Sequence, residues 1–126
     1  MILKKQSIRI IVYIYLLGIA VVAFVPFGGV NVKLQEVDVF SLRLDYLIHF
    51  LVFLPLVPLW RMVWPHHPLW KVLLFTLAIA ASAEIVQYIL PYRSFNPYDL
   101  IANCLGTIAG MLIAIMYPSS QVESKK

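Results

Sequence analysis

Four long apolar runs, separated by short segments rich in proline and polar residues, dominate the chain. Each run approaches the ~20 residues that an α-helix needs to cross a bilayer. A proline follows each run within two residues, and proline cannot continue a regular helix. The pattern therefore predicts four helices, at Ile8–Val25, Tyr46–Val63, Val72–Leu90 and Tyr98–Tyr117.

Proline also marks the interior of the second run and the start of the fourth. Pro55 and Pro58 lie within the second run, so we expect a kink or an unwound turn there. Asn96 is expected to cap the fourth helix, with Pro97 at its first position. Residues Val30–Leu44 mix charges with single apolar residues, which predicts a loop or a short interfacial segment.

The composition places the chain in the membrane class. Hydrophobic residues make up 62% and charged residues 13% of the 126 residues, whereas a soluble domain has roughly 45–50% and about 25%. Four spans leave no room for a separate soluble domain of roughly 100 residues. The predicted fold class is all-α, a four-helix transmembrane bundle, and residues 1–126 are expected to form a single domain.

The distribution of Lys and Arg predicts the orientation of this bundle. Positive residues are retained on the cytoplasmic side of a membrane, and an N-terminus inside would leave seven basic residues inside and three outside. Both termini are therefore expected in the cytoplasm. The basic residues lie scattered at the ends of apolar runs, so the net charge of +4 does not predict a nucleic-acid partner. The inside set is Lys4, Lys5, Arg9, Arg61, Lys71, Lys125 and Lys126, and the outside set is Lys33, Arg43 and Arg93.

Polar side chains inside the runs fall at a common level. His49 lies near the start of the second helix, Glu84 near the end of the third and Asn103 near the start of the fourth. At ~1.5 Å per residue, each would lie roughly 6–9 Å below the outer boundary of the membrane. Three helices thus bring polar groups to one depth on one side, which predicts a buried polar site.

The cost of burying charge constrains what this site contains. A charged residue at the bilayer centre costs about 2.5–3.5 kcal/mol by insertion scales, so Glu84 must be protonated or paired, and His49 and Arg93 are the available cations. We take Glu84 and His49 as candidate acid/base residues. The candidate substrate-binding residues are Arg93, Asp99, Asn103, Gln87 and Asp45.

Each of these residues also has a purely structural interpretation. Asp45 and Asp99 lie where the positive end of a helix favours a carboxylate. Asn103 and Gln87 can join helices by hydrogen bonds, and the Gly106-x-x-x-Gly110 pattern lets backbones approach closely.

Nothing in the sequence predicts a metal or another cofactor. The single cysteine, Cys104, has no partner for an intramolecular disulfide. His66 and His67 lie in a turn bounded by prolines, a pattern more typical of solvated loops than of metal sites. One His with two carboxylates that lack a spacing motif is a weak pattern for a divalent ion.

Three residue patterns recur among the polar positions of residues 45–110. They are Asp45-x-x-x-His49-Phe50, then Glu84-x-x-Gln87 with Pro91-x-Arg93-x-Phe95, then Asp99-x-x-x-Asn103-x-x-Gly106-x-x-x-Gly110. Together they resemble the VanZ-like family of membrane proteins. Two departures are visible, because Tyr46 stands where such proteins usually carry Lys and Phe53 where Tyr is common.

The resemblance implies a small multi-pass protein of the bacterial cytoplasmic membrane. It also implies a link to resistance against glycopeptide antibiotics of the teicoplanin type, because the founding member confers it. For this chain we expect a site that binds or acts on a membrane lipid or a lipid-linked, phosphorylated envelope precursor in the outer leaflet. Arg93 would hold the phosphate, while Gln87 and Asn103 would orient the head group.

Two alternatives stay open at this point. One is a structural subunit whose polar residues only hold the bundle together, or one that binds a membrane-protein partner or a second copy through the Gly106-x-x-x-Gly110 pattern. The other is a small-solute or proton pathway that uses Asp45, His49 and Glu84 as relay groups. The inner halves of the helices carry few polar residues, which counts against transport. The residues do not distinguish binding from catalysis.

Overall fold

The computed structural model describes residues 5–25, 36–39, 42–92 and 95–116. Within these ranges the chain contains four helical spans that are long and apolar enough to cross a membrane. The four-helix prediction is confirmed, and every predicted end lies within three residues of the observed one. The spans are α1 (Lys5–Phe24), a broken second span formed by α2 (Leu44–Phe53) and α3 (Leu56–Val63), α4 (Leu69–Ile89) and α5 (Pro97–Met116).

The break in the second span lies at the prolines, as predicted. Leu54 and Pro55 form a turn between α2 and α3. Neither Pro55 nor Pro58 has an N–H group, so the carbonyls of Leu51 and Leu54 lose their usual helical donors four residues on. Regular helical hydrogen bonds flank the turn. Before it, the Leu54 N–H donates to the Phe50 carbonyl at 3.0 Å, and after it the Leu59 N–H donates to the Pro55 carbonyl at 2.9 Å.

Helix α5 is the most buried of the spans and packs against α2, α3 and α4. Its two glycines face α2 and the turn that follows it. A Cβ added to Gly106 would lie within 3.1 Å of the Phe50 main chain, and a Cβ added to Gly110 would collide with the carbonyl of Leu54. The glycine pattern therefore serves packing inside the bundle, and it does not form a free surface for a partner.

Helix α1 is the least buried span and packs against α3 and α4. Ile19 joins Phe53, Leu56 and Ala80 in one core cluster. The Tyr15 hydroxyl donates a hydrogen bond to the Val52 carbonyl in the last turn of α2, where helical carbonyls lack a regular partner. The outward faces of the spans carry large apolar side chains, as expected for surfaces that contact lipid.

A short antiparallel pairing precedes α2. Strand β1 (Asp38–Val39) pairs with β2 (Leu42–Arg43), with Asp38 opposite Arg43. The Leu44 N–H donates to the Val37 carbonyl at 2.8 Å. This part of the segment predicted as a loop or interfacial piece holds Arg43 in an extended conformation at the N-cap of α2.

Candidate functional site

The candidate site lies at the end of the bundle where α2 and α5 begin and α1 and α4 end; we call this the site end. His49 is five residues into α2, Glu84 five residues before the end of α4, and Asn103 six residues into α5. At ~1.5 Å per residue each lies about 7–9 Å from its helix end. The three residues therefore share one level of the bundle.

A chain of hydrogen bonds joins the three helices at this level. The Asn103 amide Nδ2 donates to Glu84 Oε1 at 2.9 Å. The Asn103 Oδ1 atom lies 3.0 Å from Nδ1 of His49. Glu84 and Asn103 are both almost fully buried. Such buried polar groups are tolerated because they are paired with each other.

His49 lies between two carboxylates that approach opposite sides of its ring. Its Nδ1 atom is 3.7 Å from Glu84 Oε1, and its Nε2 atom is 3.8 Å from Asp99 Oδ2. Both distances exceed a hydrogen bond but allow strong charge interaction. The His49 side chain is 22% exposed, whereas that of Glu84 is only 2% exposed. His49 is therefore the member of the pair that an incoming molecule reaches first.

The start of α5 fixes the position of Asp99. Asn96 Oδ1 accepts the Tyr98 N–H at 3.1 Å, which caps the helix as predicted, and the helix begins at Pro97. The Asn96 Nδ2 group donates to Asp99 Oδ1 at 3.1 Å. The second carboxylate oxygen, Oδ2, lies 3.8 Å from Nε2 of His49.

A second charged pair lies at the rim of the site. Arg43 donates to Asp45 Oδ2 at 2.6 Å, and the Tyr46 N–H donates to Asp45 Oδ1 at 3.0 Å. The guanidinium also lies over the Tyr46 ring, 4.7 Å from its centroid. Partial burial lowers the pKa of Arg43, but the hydrogen bond and charge of Asp45 outweigh this and raise the pKa above its ordinary value. Arg43 therefore stays charged in the rim.

The remaining predicted residues stand apart from this network. Gln87 is buried on α4 one turn beyond Glu84, but the hydrogen bonds found among the described residues do not include its amide. Arg93 lies outside the residues that the structure describes. The structure thus brings together His49, Glu84, Asp99 and Asn103, with Asp45 at the rim.

Sequence reasoning missed Arg43, Tyr46 and Asn96 as parts of the site. Arg43 precedes α2 in an extended segment, so no helical spacing relates it to Asp45. Tyr46 was noted only as a departure from the family pattern, yet its hydroxyl is 3.4 Å from Asn96 Nδ2. Its ring lies 6.0 Å from that of Tyr98. The sequence signal for the role of Asn96 was its spacing, because a helix-capping residue is followed three positions later by the carboxylate of Asp99.

The geometry favours proton exchange and ligand binding over metal ligation. Among the residues that the structure describes, no group of three or more His, Cys, Asp or Glu side chains is arranged to hold a metal ion. Glu84 and Asp99 approach different nitrogens of His49, so their oxygens do not converge with one nitrogen on a common point. An imidazole with a carboxylate at each nitrogen instead suits the transfer of a proton.

The two remaining histidines belong to the opposite end of the bundle. Nδ1 of His67 accepts a hydrogen bond from Trp60 Nε1 at 3.1 Å, and the His67 ring stacks near Trp64. Arg61 donates to the Pro65 carbonyl at 2.9 Å in the same turn. This turn is an aromatic-rich helix connection that lies far along α4 from Glu84.

Comparison with known proteins gives one family assignment. The family model described as VanZ/LLP1 matches residues 3–118, nearly the whole chain. No curated protein and no solved structure matches the chain.

Proposed function

Because the chain belongs to the VanZ/LLP1 family, we propose that it is a multi-pass protein of the bacterial cytoplasmic membrane that binds or acts on a lipid-linked cell-envelope component. The observation that carries this proposal is the buried chain from Glu84 through Asn103 to His49, supplied by three helices at one end of the bundle. The ligand head group binds at its most exposed member, His49, whose side chain is 22% exposed.

The orientation of the bundle sets the leaflet that the site serves. Both termini lie in the cytoplasm, because seven of the ten basic residues then lie on the inner side. The site end is consequently the outer end. Lipid-linked envelope precursors that have been exported present their head groups at that surface.

Each polar residue has a role in this proposal. His49 is the acid/base group, since it is more exposed than Glu84. Glu84 supports it from the buried side through Asn103. Arg93, in the connection between α4 and α5, holds the phosphate of the ligand, because guanidinium binds phosphate through paired hydrogen bonds. Asp45 and Gln87 complete the candidate binding set.

A transport pathway is less well supported. Below Asn103, the buried polar side chains of α4 and α5 include Thr76 and Thr107. The Thr76 hydroxyl donates to the Val72 carbonyl at 3.0 Å, and the Thr107 hydroxyl to the Asn103 carbonyl at 2.9 Å. Both hydroxyls are thus used within their own helices. A relay across the bundle would need polar groups that bridge helices at this level.

A scaffold role competes with the ligand-binding role, because the same hydrogen bonds also join helices. The two are separated by variants that preserve volume and hydrogen bonding. Glu84→Gln keeps an acceptor for Asn103 but removes a titratable group, and Arg93→Lys keeps charge but removes the paired donors of guanidinium. Under the proposed function both variants stay inserted and lose activity.

The experiment expresses each variant in a bacterial host and measures teicoplanin susceptibility, thermal stability in detergent and co-purified lipid by mass spectrometry. The matched control is Ser82→Ala on α4, whose hydroxyl bonds to the Ala78 carbonyl away from the site. We expect the control to behave as wild type. Stable Glu84→Gln and Arg93→Lys proteins with unchanged susceptibility and unchanged lipid content would refute the proposed function in favour of the scaffold.

A further inference from the structure

We infer that one fatty-acyl chain of the ligand lipid lies in an apolar groove between α1 and α4, and that the buried amide of Gln87 hydrogen-bonds to the ester carbonyl at the head-group end of that chain. This ligand class rests on the proposed function and narrows it. It favours a glycerolipid, whose chains are joined through ester groups, over a polyprenyl lipid, whose chain carries the phosphate directly.

The groove is an open channel of about 310 Å³ whose walls are formed by α1 and α4. Small side chains make room for it, at Ala20 and Ala23 on one wall and at Ala78 and Ala83 on the other. Because both walls belong to membrane spans, the groove faces lipid tails and not water. A space of this size that stayed empty would deprive its lining of van der Waals contacts, so a hydrocarbon chain fills it.

The length of the groove equals that of one leaflet. Along α4 its lining runs from Phe75 to Val86, which is roughly 16 Å at ~1.5 Å per residue, and half of the ~30 Å hydrocarbon core is about 15 Å. On α1 the lining reaches Phe24, the last residue of that helix at the site end. A partner's transmembrane helix would need a groove along the whole span, whereas one lipid chain needs only this half.

Contacts between the walls hold the groove in shape. Ile19 of α1 and Ala80 of α4 belong to one core cluster. At the site end, the Tyr92 hydroxyl donates a hydrogen bond to the Phe24 carbonyl at 2.8 Å. This bond ties the end of α1 to the segment that follows α4. The groove is therefore formed before a ligand enters it, which lowers the cost of binding.

Gln87 lies where the groove meets the polar site. Residues three and four apart share a helix face, so Gln87 lies beside both Ala83 of the groove and Glu84 of the polar site. Its side chain is only 6% exposed, and its amide makes no hydrogen bond within the part of the chain that the structure describes. A buried amide without a partner is costly, so a ligand group that bonds to it is favoured.

The burial of Gln87 decides which ligand group it meets. A neutral amide in apolar surroundings does not offset the cost of desolvating a charged phosphate. An ester carbonyl is neutral and accepts an amide N–H. Gln87 lies two residues before the end of α4, about 3 Å below the boundary at ~1.5 Å per residue, where a glycerolipid chain joins its head group. The phosphate of the same lipid then lies further out, as the proposed function requires.

The groove and Gln87 contribute differently to selectivity. Filling the groove does not by itself select one lipid, because a chain that leaves it enters equally apolar surroundings. The hydrogen bond to Gln87 distinguishes lipids that have an ester carbonyl from lipids that lack one. Binding therefore requires an open groove, and the preference among lipids requires the amide.

The first test compares two lipids that differ only in their ester carbonyls. The full chain in detergent is titrated with dioleoyl phosphatidylglycerol or with its dialkyl ether analogue, and occupancy is read by native mass spectrometry. The ester lipid should bind about two- to tenfold more tightly, the value of one neutral hydrogen bond. Gln87→Met keeps the size of the side chain and should bind both lipids equally. The control Thr76→Val, which alters another buried polar side chain of α4, should keep the preference.

Two outcomes of this titration would overturn the inference. Equal binding of the ester and ether lipids to the unchanged protein would remove the hydrogen bond to Gln87. Tighter binding of undecaprenyl phosphate than of either phosphatidylglycerol would replace the acyl chain by a polyprenyl chain.

The second test closes the groove from either wall. Ala83→Leu and Ala20→Leu should each weaken binding of both phosphatidylglycerols about five- to a hundredfold, the cost of overpacking. Gly18→Leu adds the same side chain to α1 where nothing lies within 4 Å of the new Cβ, and it should bind as the unchanged protein does. Thermal unfolding in detergent identifies a variant that fails to fold, and the variant on the other wall then decides. Unchanged binding by a folded groove variant would overturn the inference, as would a dimer that both variants dissociate, because a second copy would then occupy the groove.

These outcomes separate the inference from the proposed function. Binding of none of the three lipids would refute both. Preferred binding of undecaprenyl phosphate would keep the proposed function, because that lipid carries envelope precursors, and would refute only the acyl chain in the groove.

Discussion

Gly106 lies directly against the main-chain carbonyl of Phe50, with no space between α5 and α2 for even one methyl group. This contact is one turn along α5 from Asn103 and adjacent in α2 to His49. The close approach of the two backbones therefore sets the 3.0 Å distance between the Asn103 amide and the His49 ring. The small residues of α5 thus position the polar site as well as the bundle.

Gly106→Ala should destabilise the bundle by ~1–3 kcal/mol or more, because the new methyl group meets rigid backbone atoms instead of flexible side chains. Gly18→Ala in α1 is the matched control, since nothing lies within 4 Å of its added Cβ. The control should be neutral or stabilising by up to ~1 kcal/mol through helix propensity. Thermal unfolding in detergent measures both. Equal effects of the two substitutions would contradict the close α2–α5 contact.

The buried pair of Glu84 and Asn103 should show strong coupling. Glu84→Leu deprives the Asn103 amide of its buried acceptor, and Asn103→Leu deprives Glu84 of a buried donor, so each should cost ~1–3 kcal/mol. The double Leu variant should cost clearly less than the sum, because neither Glu84 nor Asn103 is then left buried without the other. Unfolding of the four proteins in detergent gives the coupling energy. Additive costs would show that the two side chains do not interact.

The orientation can be checked with reporter fusions. Fusions after Val30 and after Tyr92 should report an extracytoplasmic position, because seven of ten basic residues then remain inside. A fusion within the turn at residues 65–68 should report the cytoplasm and serves as the opposite control. A cytoplasmic signal after Val30 or Tyr92 would reverse the orientation and place the polar site in the inner leaflet.

The sequence by itself determined the helices and the level of the polar residues. Apolar runs of nearly membrane-spanning length predicted the four spans to within three residues, and the prolines predicted the break at Leu54 and Pro55. Successive membrane spans must alternate in direction. Counting residues from each boundary was therefore enough to place His49, Glu84 and Asn103 at one depth.

The tertiary structure decided which atoms meet. The depth of a residue along a helix follows from its residue number, but the rotation of each helix about its axis is fixed by packing. Here two glycines of α5 allow close contact with the main chain of α2 and of the turn that follows it. That rotation places His49 between Glu84 and Asp99, with a different nitrogen towards each carboxylate. Arg43 reached the site through an extended segment with no helical period, so no spacing rule related it to Asp45. Hydrogen bonds depend on separations of a few tenths of an ångström, which sequence spacing does not specify.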